Sequence, residues 1–206
     1  FGPVQGWSGP TLLVENKFYP PDGSDLGERV VPSLPAGPPW SIGWFGMIKC
    51  EEGLPILKTM LADHPGLATL LMAGRPSEVL LEQIRSSPPE LGVNYVGPYR
   101  PEQMAELVRQ THFVWTIDFH YRDFNSEALL PNRLYSSCLF GSVPIVVGST
   151  ATGRWLQRHR AGIHLLDDCS DLAEVMLTMT EARYQEEIAR IAAIDRRALA
   201  WDEAGW

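Results

Sequence analysis

The chain has 206 residues, 45% hydrophobic and 20% charged, a mixture typical of a globular protein and not of a disordered tail. Its net charge of −8 argues against binding to nucleic acid or to anionic membranes through a general positive field. Any phosphate site must therefore be a local concentration of basic side chains and backbone N–H groups.

The three cysteines, Cys50, Cys138 and Cys169, have no C-x-x-C spacing, which argues against a disulfide framework or a zinc site. No apolar run approaches the roughly 18 residues of a membrane span, and the N-terminus lacks a signal-peptide pattern. We expect a reducing, cytoplasmic setting. Because the chain begins at Phe1, we also expect a piece of a longer protein.

Residues 1–39 are dense in glycine and proline, which predicts a connector or the edge of a missing N-terminal neighbour. Residues 40–206 have a regular hydrophobic pattern, in which short apolar runs that predict strands alternate with segments of helical spacing. The predicted strands are 41–48, 68–73, 93–96, 113–117, 143–147 and 162–166. The predicted helices are 54–62, 78–85, 101–110, one near 130, 153–158 and a long final helix over 171–199.

Nearly continuous apolar strands separated by helices indicate a parallel sheet that is covered on both faces. We therefore predict an α/β domain with a doubly wound, Rossmann-like sheet. In such sheets ligands lie beyond the carboxyl ends of the strands, so functional residues are sought there.

The first strand-to-helix turn runs from Gly46 to Gly53 and contains Lys49. Glycine lets the backbone approach a ligand, and lysine supplies a mobile positive charge. Because no complete G-x-G-x-x-G pattern is present, a plain turn with a solvated lysine is an equally good interpretation.

The loop 96–100 follows the third predicted strand and precedes a helix that starts at Pro101. Proline at a first helical position, with Glu102 after it, is ordinary helix-starting chemistry. The functional alternative is that Pro98 and Tyr99 line a pocket for a nucleotide base.

A polar and aromatic loop, 118–127, follows the fourth predicted strand. Asn125, Ser126 and Glu127 are suited to hydrogen bonds with sugar hydroxyls, and the aromatic rings to apolar walls. His120 by itself is more typical of a solvated loop histidine.

The segment Pro131-Asn132-Arg133 stands at the start of a predicted short helix. A helix start presents unpaired N–H groups and a partial positive charge, which suits a phosphate. Asn132 is also compatible with a simple cap and Arg133 with an exposed side chain. An arginine at the positive end of the dipole costs about 0.3–1 kcal/mol unless an anion or carboxylate offsets it, which favours a ligand.

Other chemistries find little support. The sequence has no G-x-S-x-G elbow and no P-loop, and its five histidines lack metal-ligand spacing. Cys138 is predicted on a helix face beside Leu134 and Leu139, which is typical of a buried, inert thiol.

At these residues the chain resembles the C-terminal, nucleotide-sugar-binding domain of GT-B glycosyltransferases of the group-one or family-four retaining type. The turn 46–53 resembles that family's phosphate loop, and the loop 96–99 resembles its base-binding loop. Leu-Pro-Asn-Arg-Leu-Tyr at 130–135, followed by Gly141 and Pro144, is similar to the family pattern L-P-N-R-L-Y-E…G-x-P. The resemblance covers roughly residues 40–199.

Some positions depart from the family pattern. The family commonly has basic residues where this chain has Met47 and Glu52, which leaves Lys49 as the basic candidate in the turn. Ser136 replaces the glutamate that usually holds the donor ribose. A serine can hydrogen-bond a hydroxyl but lacks two charged oxygens, and Glu127 is a candidate to compensate.

The resemblance implies a hexosyltransferase-type enzyme that transfers a sugar, with retention, from a nucleotide-diphosphate donor such as a UDP-sugar to a polysaccharide or glycolipid acceptor. It implies that Lys49 and Arg133 act catalytically by neutralising the leaving diphosphate, with no metal and no other cofactor. The implied donor-binding residues are Gly46, Lys49, Pro98, Tyr99, Asn125, Ser126, Asn132, Arg133 and Ser136. The acceptor would bind a missing N-terminal domain, so this chain alone should be inactive, and peripheral membrane association of the full-length protein stays open.

Two other functions also stay open. A non-catalytic Rossmann-like interaction module that has lost donor binding would account for Ser136 and for the missing basic residues. A sugar-nucleotide epimerase would share the two-domain GT-B architecture.

Overall fold

A computed structural model describes residues 17–19, 34–119 and 130–201. Asn125, Ser126 and Glu127, which were predicted to contact sugar hydroxyls, lie outside the described residues. The described part forms a parallel sheet of six strands. The strands are β1 Trp40–Ile48, β2 Ala68–Pro76, β3 Val93–Tyr95, β4 Phe113–Trp115, β5 Val143–Val147 and β6 Ile163–Leu165.

The strand order is β3-β2-β1-β4-β5-β6, so successive strands are added on one side of β1 and then, from β4 onwards, on the other. This order confirms the predicted doubly wound, Rossmann-like parallel sheet. The reversal places the carboxyl ends of β1 and β4 beside each other, where the chain leaves the sheet in opposite directions. A crevice at such a point is the usual ligand site of an open α/β sheet.

Helices connect the strands as the apolar spacing predicts. The helices are α1 Gly53–Asp63, α2 Glu78–Arg85, α3 Met104–Arg109, α4 Asn132–Leu139, α5 Ala151–Arg158, α6 Leu172–Leu177 and α7 Glu181–Ala192. The predicted helix at 101–110 begins as a 3₁₀ turn, Pro101–Gln103, before it becomes α3. Neighbouring parallel strands need a crossover connection of a dozen or more residues, and the helices from α1 to α5 lie in such crossovers.

The prediction of one long final helix over 171–199 is wrong. The segment forms α6, then α7, and then a 3₁₀ turn, Arg196–Ala198. Thr180 lies between the two helices in an extended conformation, and its hydroxyl accepts a hydrogen bond from the Arg183 N–H at 3.2 Å. A threonine in this position caps a new helix and does not continue the preceding one, because its side chain competes for backbone groups.

Apolar side chains cover both faces of the sheet, as β1 shows. Trp44 packs into the large core cluster on one face, whereas Phe45 packs with Leu71 and Val114 on the other. Burying each such side chain contributes about 1.5–3 kcal/mol. In the described part of the chain both faces of the sheet are covered, and the strand ends are where ligands of such sheets bind.

Part of the predicted connector contacts the end of the domain. The Phe18 N–H donates to the Leu199 carbonyl at 2.9 Å, and the Trp201 N–H donates to the Phe18 carbonyl at 2.9 Å. The domain boundary at residue 39 stays a prediction.

Candidate functional site

The first turn of α4 places Arg133 at the carboxyl edge of the sheet. Its side chain is 8% exposed, and its guanidinium donates to the Ile117 carbonyl at 3.2 Å. The same Nη2 lies 3.6 Å from the Asp118 carboxylate. Burial lowers the pKa of Arg133, and the nearby Asp118 carboxylate opposes that shift. Either a ligand or a carboxylate can offset the charge of an arginine at a helix start, and the Asp118 carboxylate does so in the structure.

The Cys50 thiol connects the turn after β1 to the segment after β4 through a hydrogen bond at this edge. Cys50, in the turn after β1, accepts a hydrogen bond at Sγ from the Phe119 N–H at 3.2 Å. Burial is the main cause of the raised pKa of Cys50, so the protonated thiol is favoured. All three cysteines, including the Cys138 predicted to be inert, are buried and free of disulfides.

The loop after β3 brings Tyr99 to the same place. A Cβ on Gly46 would lie 3.8 Å from the Tyr99 hydroxyl oxygen, and Gly46 has a φ of +99° that side chains rarely adopt. Burial raises the pKa of Tyr99 to about 12, while the Arg133 charge lowers it. Tyr99 is therefore a neutral hydroxyl at physiological pH, able to donate or accept a hydrogen bond.

The backbones of β1 and β2 approach closely beside Gly46. Gly46 and Gly74 face each other in the strand register, and a Cβ on Gly74 would lie 2.0 Å from the Gly46 carbonyl oxygen. The Tyr95 hydroxyl donates to the Gly74 carbonyl at 2.9 Å, and the Gly74 N–H donates to the Gly97 carbonyl at 2.8 Å. These bonds tie the loop that carries Tyr99 to the end of β2.

The other residues predicted to contact the sugar-nucleotide donor differ in how exposed they are. Lys49, Pro98 and Asn132 are exposed. Ser136 is 2% exposed, and its hydroxyl donates to the Asn132 carbonyl at 3.2 Å, within its own helix. The donor contacts proposed for these residues stay predictions.

Sequence reasoning missed Asp118 and Gly74 as site residues. Asp118 was grouped with its loop, although it is the first charged residue after β4 and precedes the Arg133 helix in sequence. Gly74 occupies the position in β2 that Gly46 occupies in β1. This correspondence is visible in the sequence once the two parallel strands are aligned.

Within the described ranges, no group of three or more His, Cys, Asp or Glu side chains is arranged to hold a metal ion. Among the same residues, no helix is both long enough and apolar enough to cross a membrane. What the edge offers is a set of hydrogen-bonding and charged groups: a hydroxyl, a carboxylate, cations and helix starts. Such groups bind polar, anionic ligands.

Solved structures share this fold. HepE of Anabaena in complex with UDP-glucose superimposes with a TM-score of 0.57 at 17% identity, over 78% of this chain and 43% of that one. The C-terminal domain of the glycosyl transferase group 1 family protein LpcC of Francisella tularensis gives 0.52 at 14% identity, over 73% of this chain and 80% of that one. The chain is a domain of the GT-B fold. The coverage of the LpcC domain agrees with the C-terminal half of that architecture.

A sequence relative of this GT-B domain is also known. The succinoglycan biosynthesis protein ExoL of Rhizobium meliloti is 34% identical over 210 residues, which cover 98% of this chain and 51% of that protein. The chain therefore spans about half the length of this curated relative. No family model matches the sequence.

Proposed function

We propose that the chain is the donor-binding domain of a retaining glycosyltransferase that transfers a sugar, of the hexose type, from a nucleotide-diphosphate donor to a polysaccharide or glycolipid acceptor. The observation that carries the proposal is the meeting of Gly46, Tyr99 and Arg133 at the switch point of the sheet. These residues come from three separate segments, and the resemblance assigned each of them to donor binding. The fold is shared with a protein whose structure holds UDP-glucose.

In this proposal the nucleotide lies across the carboxyl edge, with its base at the loop that carries Pro98 and Tyr99. The diphosphate lies against the starts of α1 and α4, where helix N–H groups have no partner within the helix. The residue before α4 is Pro131, whose ring offers no capping acceptor to those groups. Asn132 is exposed at this start, where its side chain is available to the diphosphate.

The two cations have different roles. Arg133 is buried beside Asp118, so it supplies a fixed positive charge that is partly offset. Lys49 is exposed on the turn after β1, and its flexible chain carries a mobile charge toward the leaving diphosphate. Stabilising the negative charge that develops on the leaving group lowers the barrier to transfer without a metal or other cofactor.

The test is calorimetric titration of the full-length protein with UDP and GDP. Lys49→Ala and Arg133→Ala should each weaken binding, because each removes positive charge from the diphosphate site. Lys58→Ala is the matched control: it removes the same charge from α1, where Lys58 donates to the Gln83 carbonyl at 3.3 Å away from the site. Absence of saturable binding at millimolar nucleotide would overturn the proposal.

One observation favours a second function, a non-catalytic interaction module that has lost donor binding. The Ser136 hydroxyl and the Arg133 guanidinium are both bonded to groups of the protein itself. Transfer of sugar by the full-length protein in vitro would eliminate this second candidate.

A further inference from the structure

A pocket at the beginning of β6 lies away from the candidate donor site. It is formed by the end of α5, the residues that lead into β6 and one side of α7, and its volume is about 390 Å³. Pockets of this size bind small molecules in many proteins. Because the six strands are parallel, the start of β6 belongs to the amino edge of the sheet, opposite the carboxyl edge that carries Gly46, Tyr99 and Arg133.

The charge of this pocket has the opposite sign to that of the chain. Three arginines, Arg160, Arg183 and Arg190, line it together with one carboxylate, Glu187. The chain as a whole has a net charge of −8. Positive charge is therefore concentrated at this pocket, in a protein that is otherwise acidic.

The carboxylate of the pocket is occupied by groups of the protein. Glu187 is 6% exposed, accepts a hydrogen bond from the Gly162 N–H at 3.1 Å and pairs with the Arg190 guanidinium. Arg190 also lies 3.4 Å from the Glu186 carboxylate. These contacts fix Arg190 and neutralise it, so the uncompensated charge of the pocket belongs to the other two arginines.

The conformation of Arg160 is unusual for an arginine. It follows α5 with a φ of +54°, a left-handed conformation in which glycine is the usual residue after a helix. Its backbone N–H donates to the Gln157 carbonyl at 3.0 Å, whereas its side chain makes no hydrogen bond or ion pair with the described residues. A side chain that strains the backbone without bonding to the protein indicates a role outside the stability of the fold.

Arg183 reaches the pocket from the first turn of α7. Its guanidinium lies 3.5 Å from the Thr178 hydroxyl, at the limit of a hydrogen bond. A basic residue in a first turn is disfavoured by the helix dipole unless an anion offsets its charge. Arg160 and Arg183 therefore present two weakly engaged guanidinium groups, from separate segments, to one pocket.

We infer that this pocket binds the phosphate group of a small anionic molecule, held by Arg160 and Arg183 beside the fixed Arg190. The planar fork of a guanidinium matches the oxygens of a phosphate and donates two charge-assisted hydrogen bonds to them. Because the pocket lies at the opposite edge of the sheet, it can be filled while a nucleotide occupies the carboxyl edge. The inference therefore does not depend on the proposed function.

The experiment measures binding of inorganic phosphate, pyrophosphate and glycerol phosphate to the full-length protein by calorimetry. At least one of these compounds should bind the wild type saturably, and the tightest of them tells whether the ligand is a free phosphate, a diphosphate or a phosphate ester. Arg160→Gly and Arg183→Gln should each weaken that binding about tenfold, because each removes hydrogen bonds between charged groups. Arg158→Gln is the matched control, since it removes the same charge from the exposed end of α5 outside the pocket.

Urea unfolding of Arg160→Gly separates a binding role from a structural one. Glycine adopts a φ of +54° without strain, so the unfolding midpoint of this variant should equal or exceed that of the wild type. A lower midpoint would show that the Arg160 side chain serves the fold and would overturn the inference.

Two outcomes of the titrations would also overturn it. One is the absence of saturable binding of all three compounds at millimolar concentrations, or equal affinities of Arg160→Gly, Arg183→Gln and Arg158→Gln. The other is binding that is lost in Lys49→Ala and unchanged in Arg160→Gly, which would assign the anion to the carboxyl edge.

Discussion

Two buried polar clusters at opposite edges of the sheet differ in how fully they are hydrogen-bonded, although the Trp40 Nε1 and the Tyr184 hydroxyl beside His112 also have no hydrogen-bond partner in the described residues. At the amino edge, the Thr111 and Ser142 hydroxyls lie 3.2 Å apart, and the Ser142 hydroxyl also lies 3.1 Å from the Thr111 carbonyl. His112 has a hydrogen bond at each of its two ring nitrogens. At the carboxyl edge, Arg133 Nε has no hydrogen-bond partner in the described part of the chain, and Asp118 keeps an exposed face.

This difference separates stability from binding. Buried polar groups that satisfy one another hold the strands together and have nothing left for a ligand. A buried charged group with an unpaired nitrogen, as Arg133 has at Nε within the described residues, costs stability, and such groups are found at functional sites. Changes in the buried cluster at the amino edge should therefore alter stability alone, and most changes at the carboxyl edge should alter binding as well.

The largest effect is expected for Gly74→Ala. The new Cβ would meet the Gly46 carbonyl oxygen at 2.0 Å, and the φ of +132° is unfavourable for alanine. Strain and overpacking together should cost about 3 kcal/mol or more. Urea unfolding measures this cost, with Gly66→Ala as the control, because Gly66 has a φ of +80° but no atom near its added Cβ. Equal costs for the two variants would contradict the close approach of β1 and β2.

Arg133→Ala should have the next largest effect. It removes the buried guanidinium from Asp118 and from the Ile117 carbonyl, which should cost about 2 kcal/mol, less than for a fully buried pair because Asp118 is partly exposed. Urea unfolding again provides the measurement. Arg85→Ala, on an exposed position of α2, should stay within about 0.5 kcal/mol of the wild type. A loss no larger than that of Arg85→Ala would show that Arg133 does not stabilise the carboxyl edge.

His112→Phe tests the amino edge. The Ser41 N–H donates to Nδ1 at 2.9 Å, so the neutral ring carries its proton on Nε2 and donates to the Pro35 carbonyl at 3.0 Å. Replacing the ring with phenyl leaves both backbone groups unpaired, at a cost of about 1–2 kcal/mol near pH 8. Nucleotide affinity should not change.

The unfolding free energies of the wild type and of His112→Phe should depend differently on pH. Burial lowers the pKa of His112 below its ordinary value of 6.5, so the unfolded chain binds the proton more readily than the folded one. The stability that His112 contributes is therefore fully present above about pH 6.5 and decreases as the pH falls below it. Unfolding free energies measured from pH 8 to pH 5 should show the gap between wild type and His112→Phe narrowing. A difference in unfolding free energy that stays constant with pH would contradict a neutral His112 ring with hydrogen bonds at both nitrogens.

The smallest change in stability is expected for Lys49→Ala, within about 0.5 kcal/mol, because the side chain is exposed. Nucleotide affinity should nevertheless fall, and fall less at high salt, since an exposed charge is screened. Titration at low and high ionic strength measures this. If the affinity of Lys49→Ala equalled that of the wild type at low salt, the phosphate role of Lys49 would be excluded.

Apolar periodicity was enough to predict most of the fold. The strand at 143–147 and the helix at 78–85 have the predicted bounds, because their apolar patterns are continuous and their ends carry clear turn or cap residues. The final helix was predicted wrongly because α6 and α7 share apolar spacing across a break that depends on the Thr180 cap. Local hydrogen bonding of one side chain outweighed the spacing there.

The candidate site was predicted less completely. The sequence pointed to Gly46, Tyr99 and Arg133 one segment at a time, and the structure brings these three together. It could not show that Arg133 is buried against Asp118, because these residues lie fifteen positions apart and meet only when β4 and α4 pack together. Nor could it show that Ser136 turns its hydroxyl into its own helix.

The sequence by itself determined the alternation of strands and helices and the polar segments that follow the strands, because hydrophobic spacing and turn chemistry are local properties. Only the tertiary structure decided the strand order, the contact between Gly46 and Gly74, and the pairing of Arg133 with Asp118. These depend on which strand ends become neighbours, and that is fixed by packing between segments distant in sequence. The residue types at the carboxyl edge can therefore be predicted from the sequence, whereas the contacts between them are set by the fold.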